Sequence, residues 1–230
     1  GLVGVQRWMK PPVDPRFDAL LDEGLQALRA EWPGKGRQGV DQFREAVQLQ
    51  PSNAGAWGLL ALAQAAETEY GVDGALQGSQ DAARRALDLD ELEPHAKVAQ
   101  AVVQRGVDPW HETERKLRDV LKDHPTNRWA HIRLGGLLQA SGYSRESSEF
   151  SEGVVDADGK ASRMSAGPLS RRAFRLWIDG QDDEAYRAAQ HLSDNFHDHP
   201  LAWKAWLLIC AFTDRISNVR ELLGKDSATE

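Results

Sequence analysis

Residues 43–61 read Phe43-Arg44-Glu45-Ala46-Val47-Gln48-Leu49-Gln50-Pro51-Ser52-Asn53-Ala54-Gly55-Ala56-Trp57-Gly58-Leu59-Leu60-Ala61. Ahead of the proline, Phe43, Ala46 and Val47 recur at three- and four-residue spacing, as one face of a helix requires. Pro51 closes that helix, because a proline has no amide hydrogen to continue the ladder. Ser52 and Asn53 then offer side-chain oxygens that cap a second helix, whose apolar positions start at Trp57, Leu60 and Ala61. One stretch therefore holds a helix end, a tight turn and a helix start.

The same grammar returns downstream. Leu117, Val120 and Leu121 precede Pro125-Thr126-Asn127, and Leu134-Gly135, Leu138 and Gly142 follow. Gly180, Ala185 and Ala189 keep the small-residue spacing, and Pro200 precedes Trp206 by the interval that separates Pro51 from Trp57. Glu91 to Pro125 and Pro125 to Gly159 are both steps of 34 residues. The step from Pro51 to Glu91 is 40, and its surplus falls in the loop-like stretch Tyr70–Gly78. Upstream, Asp14-Pro15 caps a helix carrying Phe17, Leu20, Leu21, Leu25 and Leu28. No stretch alternates with period two for long enough to make a sheet, so the fold class is all-α.

These residues resemble the tetratricopeptide repeat (TPR) family, whose pattern over 34 residues is Trp-x-x-Leu-Gly-x-x-Tyr, then Ala-x-x-x-Phe, then Pro. The match is best over Phe43–Ala61 and Leu117–Gly142 and decays between Gln77 and Arg105. The resemblance implies an α-solenoid of five to six helical hairpins with a right-handed superhelical twist. It also implies a concave face, lined by the first helix of each hairpin, that takes a protein or peptide. Carried over helix by helix, the inward positions are Gly24 and Leu28, Gly58 and Leu62, then Val98 and Val102. Ile132 and Gly136, Ser170 and Phe174, and Leu207 and Ala211 follow. None is basic or an amide, so the chain departs from the TPR domains that clamp the acidic C-termini of heat-shock chaperones. The implied groove is apolar, with Leu28, Leu62, Val98, Val102, Ile132 and Phe174 as its floor. Trp129 and Trp177 are the expected anchors at its rim. Trp57 and Phe43, from consecutive hairpins, are expected to meet across their interface.

The domain reading is an N-terminal extension over 1–16, a repeat domain over 17–223 with a seam at 159–167, and a disordered tail over 224–230. The chain opens at Gly1 without a methionine, and the expectation is a piece of a larger protein. Its parent is expected to be a bacterial signalling or transcription-regulating protein, by resemblance of layout alone. The alternatives are a small-molecule-sensing helical domain and a module for self-association.

Composition narrows the function classes. Hydrophobic residues make up 41% and charged residues 27% of 230, enough apolar material for a core. No run approaches the ~20 apolar residues of a membrane span, so membrane insertion of this stretch is not expected. A formal net charge of −7 disfavours a broad phosphate-binding surface, and no nucleic-acid partner is expected. The single Cys210 sits in an apolar helical run and reads as a buried, unreactive residue. A chain with one cysteine fits the cytoplasm and the periplasm alike, and the oligomeric state is left open. Gly-rich phosphate loops, His-Glu-x-x-His and Gly-x-Ser-x-Gly are all missing, so neither an enzyme nor a cofactor is expected. His191, His197 and His199 can in principle ligate a metal, yet the stretch reads as a polar loop between helices, and no metal is expected.

Overall fold

The computed structural model describes residues 14–29, 33–105, 107–143, 145–147, 150, 166–197, 199–215 and 217. The N-terminal extension up to residue 13, the seam from 159 to 165 and the tail over 224–230 lie outside the described residues. The first half runs α1 (Arg16–Arg29), α2 (Pro33–Leu49), α3 (Ala54–Thr68), α4 (Ala75–Leu89) and α5 (Pro94–Gln104). Then come α6 (Trp110–Asp123), α7 (Arg128–Ala140), α8 (Ala166–Ile178), α9 (Asp182–Asn195) and α10 (Pro200–Phe212). No strand occurs among the described residues.

The helices pack as a stack of hairpins. Helix α1 packs on α2, α3 on α4, α5 on α6 and α8 on α9. The second helix of each hairpin also packs on the first helix of the next, as α2 does on α3 and α4 on α5. First helices touch in series, α3 to α5 to α7 to α8 to α10. Each unit buries its apolar face against its neighbours in sequence, which is the defining property of a solenoid.

The helix starts repeat at the level of single hydrogen bonds. Asn53 Oδ1 accepts the Ala56 amide at 2.9 Å, and Asn127 Oδ1 accepts the Ala130 amide at 2.9 Å. Glu93 fills the same place between them, with Oε2 accepting the Ala96 amide at 2.6 Å. That carboxylate is seated against Gly58, where an added Cβ would lie 2.0 Å from Oε2. Position 58 is therefore closed by Glu93 rather than open to a groove. At α10 the cap is His199, whose Nδ1 accepts the Leu201 amide at 3.2 Å. Pro200 thus opens a helix, as Pro94 does, and does not close one. The Pro200–Trp206 spacing is consequently not the repeat spacing. Counting four residues from the cap, Trp203 takes the place that Trp57 holds.

A second repeated bond ties each hairpin shut. Ser79 Oγ donates to the Ala61 carbonyl at 2.8 Å, and Ser147 Oγ donates to the Gly135 carbonyl at 2.7 Å. The separations are 18 and 12 residues, and the difference equals the surplus in the step from Pro51 to Glu91. The extra residues are absorbed in the connection between α3 and α4, where Gly71 and Gly74 take positive φ at 70° and 76°. Glycine adopts that backbone without the steric penalty other residues meet.

Among the described residues the core falls into clusters. One runs from Phe17 to Leu138 across α1 to α7, and two smaller ones lie within α8 to α10. Phe43 is fully buried, and a Cβ on Gly24 would come within 2.6 Å of its ring, so glycine lets α1 close on α2. Phe43 therefore packs inside its own hairpin. Trp57 is only half-buried at the edge of the core, and its indole N–H donates to the Pro51 carbonyl at 2.9 Å. Trp57, expected to meet Phe43 across the hairpin interface, thus packs on the cluster that holds Phe43 but is only partly enclosed, because the indole bridges the turn.

Candidate functional site

Among the described residues, a recess of about 330 Å³ lies where α1, α3, α7, α8 and α10 border one another. Its walls come from both ends of the chain. Ala27 and Leu28 at the end of α1 face Gly167 and Arg171 in α8 and Pro200 and Leu201 in α10. The face of α7 supplies Trp129, Ile132, Arg133 and Gly136, and the end of α3 supplies Ala66, Glu67 and Glu69. The solenoid is thus wound tightly enough for its first and later hairpins to border one space.

Charged groups are set into an apolar wall. Arg133 Nη1 donates to both carboxylate oxygens of Glu69, at 3.0 and 2.9 Å, tying α7 to the end of α3. The Arg171 guanidinium lies beside Gly136, where an added Cβ would be 3.9 Å from Nη1. Glu67 is 4% exposed, and its Oε1 is sealed from water with no hydrogen-bond partner. Burial pushes the Glu67 carboxyl above the usual carboxylate range, and the charge of Arg37 offsets part of that rise.

Of the residues expected to form a groove, Leu28, Trp129 and Ile132 line this cavity. Trp129 is 5% exposed and belongs to the wall, not the rim. Leu62 and Val98 are wholly enclosed in the core and reach no groove, because neighbouring first helices cover them. Val102 borders a separate depression beside Thr68, Val72 and Leu76. Phe174 packs in the C-terminal clusters, and Trp177 stacks on Phe212 with ring centroids 4.8 Å apart. Neither lines the cavity.

The expectation of a purely apolar groove also gives way. Glu67, Glu69, Arg105, Arg133, Arg171 and His199 all border the space. Glu67 lies in the last turn of α3, and Glu69, Arg105 and His199 are cap residues, outside the mid-helix positions from which the inward register was counted. Counting from the caps moves the α10 positions to Lys204 and Leu208, and leaves Leu207 and Ala211 exposed as observed. Of the histidines, His199 is spent on its cap and His191 Nδ1 lies 3.2 Å from Asn195 Nδ2. His197 is exposed. Among the described residues no three His, Cys, Asp or Glu side chains are grouped to hold a metal ion. None of the described helices is long and apolar enough to cross a membrane.

No protein-family model matches the chain, and no curated protein matches it in sequence. The likeness is one of structure. The crystal structure of TTC0263, a thermophilic TPR protein of Thermus thermophilus, superposes with a TM-score of 0.58 at 13% identity. That match covers 85% of this chain and 99% of the other. A tetratricopeptide repeat protein from Parabacteroides merdae superposes with a TM-score of 0.51 at 12% identity, covering 92% and 79%. The chain folds as a TPR solenoid. At such identities the TPR likeness is one of backbone. The side chains of the cavity are this protein's own.

Proposed function

We propose that this TPR solenoid is a non-catalytic scaffold that binds an extended segment of a partner protein in its central cavity. One observation carries the reading: the described side chains of the inner face leave about 330 Å³ open between α1, α3, α7, α8 and α10. An apolar wall with a few placed polar groups is the usual composition of a binding site. The partner setting we favour is a larger bacterial signalling or transcription-regulating protein of which this is the interaction domain. The layout of the sequence supports that setting.

Gly136→Leu tests the cavity. A Cβ at position 136 meets nothing closer than the Arg171 guanidinium, so a leucine side chain extends into the space without disturbing the core. Replacing a helical glycine also favours the helix by about 0.5 to 1 kcal/mol. Peptides selected on the wild-type chain from a displayed random library are expected to lose at least tenfold in affinity, while the melting temperature holds or rises. Undiminished binding to Gly136→Leu sinks the assignment of the cavity as the binding site.

A further inference from the structure

The sequence as a whole is acidic, with a formal net charge of −7, yet the recess is bordered by three arginines. Arg105 lies just past the end of α5, Arg133 in α7 and Arg171 in α8. Among the described residues two carboxylates share the wall with them. Glu69 is taken up by Arg133, whose Nη1 donates to both of its oxygens at 3.0 and 2.9 Å. Glu67 is 4% exposed, with Oε1 sealed against Gly36, and presents almost no surface to the recess. Three arginines against one accessible carboxylate give the lining a surplus of positive charge. Between the charges the wall is apolar, with Ala27, Leu28, Trp129 and Ile132. In such a partly enclosed, weakly polar space a guanidinium attracts an anion more strongly than it does on the open surface. The planar fork of arginine matches a carboxylate in shape, as the pairing of Arg133 with Glu69 already displays in the wall itself.

We propose that the recess selects an aspartate or glutamate side chain of the bound segment, flanked there by apolar residues, and that Arg171 and Arg105 receive its carboxylate. This rests on the recess being the segment's binding site. Arg171 is half-buried, with its guanidinium beside Gly136, and supplies the inner charge. Arg105 is exposed and supplies the outer one, where it also draws an acidic segment in from solution. None of the three arginines stands at the inward positions carried over from the TPR clamps for acidic C-termini. The group proposed is accordingly a side chain within the segment, not the end of a chain.

The experiment selects random peptides on the full wild-type chain, displayed ahead of a carrier protein so that they have no free carboxyl terminus. Recovered peptides are expected to carry an Asp or Glu beside apolar residues. Exchanging it for Asn or Gln should weaken binding at least tenfold on the wild type. On the double variant Arg105→Met with Arg171→Met, whose melting temperature shows that it is folded, the same exchange should cost less than threefold. If the double variant does not fold, Arg105→Met alone, at an exposed position, should bring the loss below fivefold. Added salt should weaken binding of the acidic peptides to the wild type more than to either variant. Recovered peptides without an acidic residue, or an equal loss on wild type and variants, overturn the role of the arginines and leave the cavity assignment to the Gly136→Leu result. A library that yields no peptide sensitive to Gly136→Leu overturns both.

Discussion

Thr113 occupies the place in its hairpin that Ser79 and Ser147 hold in theirs, twelve residues after Ala101 as Ser147 follows Gly135. The two serines bond to the facing helix, whereas the Thr113 hydroxyl is buried without a partner. The β-branched side chain has fewer rotamers with which to reach the carbonyl. Thr113→Val removes an unsatisfied hydroxyl at nearly constant volume, so the urea midpoint should hold or rise. Ser79→Ala deletes a made bond and should cost about 1 kcal/mol. A loss at Thr113→Val as large as at Ser79→Ala would contradict this reading. Glu67 also carries a buried unsatisfied oxygen that stability measurements can reach. Because burial raises its pKa in the folded chain, its contribution is intact below the unfolded carboxyl pKa and declines as pH climbs through the folded one. The melting temperature of Glu67→Gln should therefore pull ahead of wild type as pH rises from 4 to 7. A lead of about 2 to 4 °C at neutral pH is expected, the shift that 1 kcal/mol makes in a chain of this size. A constant difference across that range, in thermal melts followed by circular dichroism, contradicts the assignment.

At the scale of elements, the first helices start by a shared device and differ in what else the cap does. Asn127 only caps, accepting the Ala130 amide, so Asn127→Ala should cost about 1 kcal/mol. Glu93 caps α5, fills the notch at Gly58 and bonds His95 Nδ1 at 2.8 Å through Oε1. Its removal empties a packed space as well as losing the cap, and Glu93→Ala should cost about 2 kcal/mol or more. Equal losses for the two variants in urea unfolding would show that the notch relaxes around the missing carboxylate. Attention to caps also explains the register slip at α10. Its proline is a helix opener, and a sequence pattern that treats every proline as a terminator shifts the register of the whole helix.

At the scale of the molecule, the buried residues described in α1 to α7 form one cluster and those described in α8 to α10 form others. In a stack coupled through nearest neighbours, damage at one end is felt weakly at the other. Phe43→Ala should cost about 3 to 5 kcal/mol in the first cluster. Cys210, fully buried, carries a thiol that burial pushes up, with Arg215 offsetting part of the shift. A thiol that is both buried and short of thiolate reacts slowly. Cys210 should stay protected from a thiol reagent in Phe43→Ala under conditions where near-ultraviolet tryptophan signals of the first cluster are already lost. Simultaneous exposure of Cys210 would show that the solenoid unfolds as one cooperative block.

The sequence by itself determined the helices, their caps at Asn53 and Asn127, and the 34-residue step. Each of these is a local event, written in neighbouring residues through proline, capping oxygens and periodic apolar positions. It also determined that Phe43, Leu60, Leu117 and Leu134 are core, since amphipathic spacing aims them at the facing helix. Only the tertiary structure decided the cavity. Leu28 and Leu201 are 173 positions apart and line one space because small rotations between hairpins accumulate along the stack. The burial of Glu67 depends on Gly36 of the preceding hairpin, and the pairing of Arg133 with Glu69 spans 64 positions. Inward-facing positions can be counted along a helix. Whether such a position is covered by a neighbour, as Leu62 and Val98 are, or left open, as Ile132 is, depends on how closely the next helix approaches.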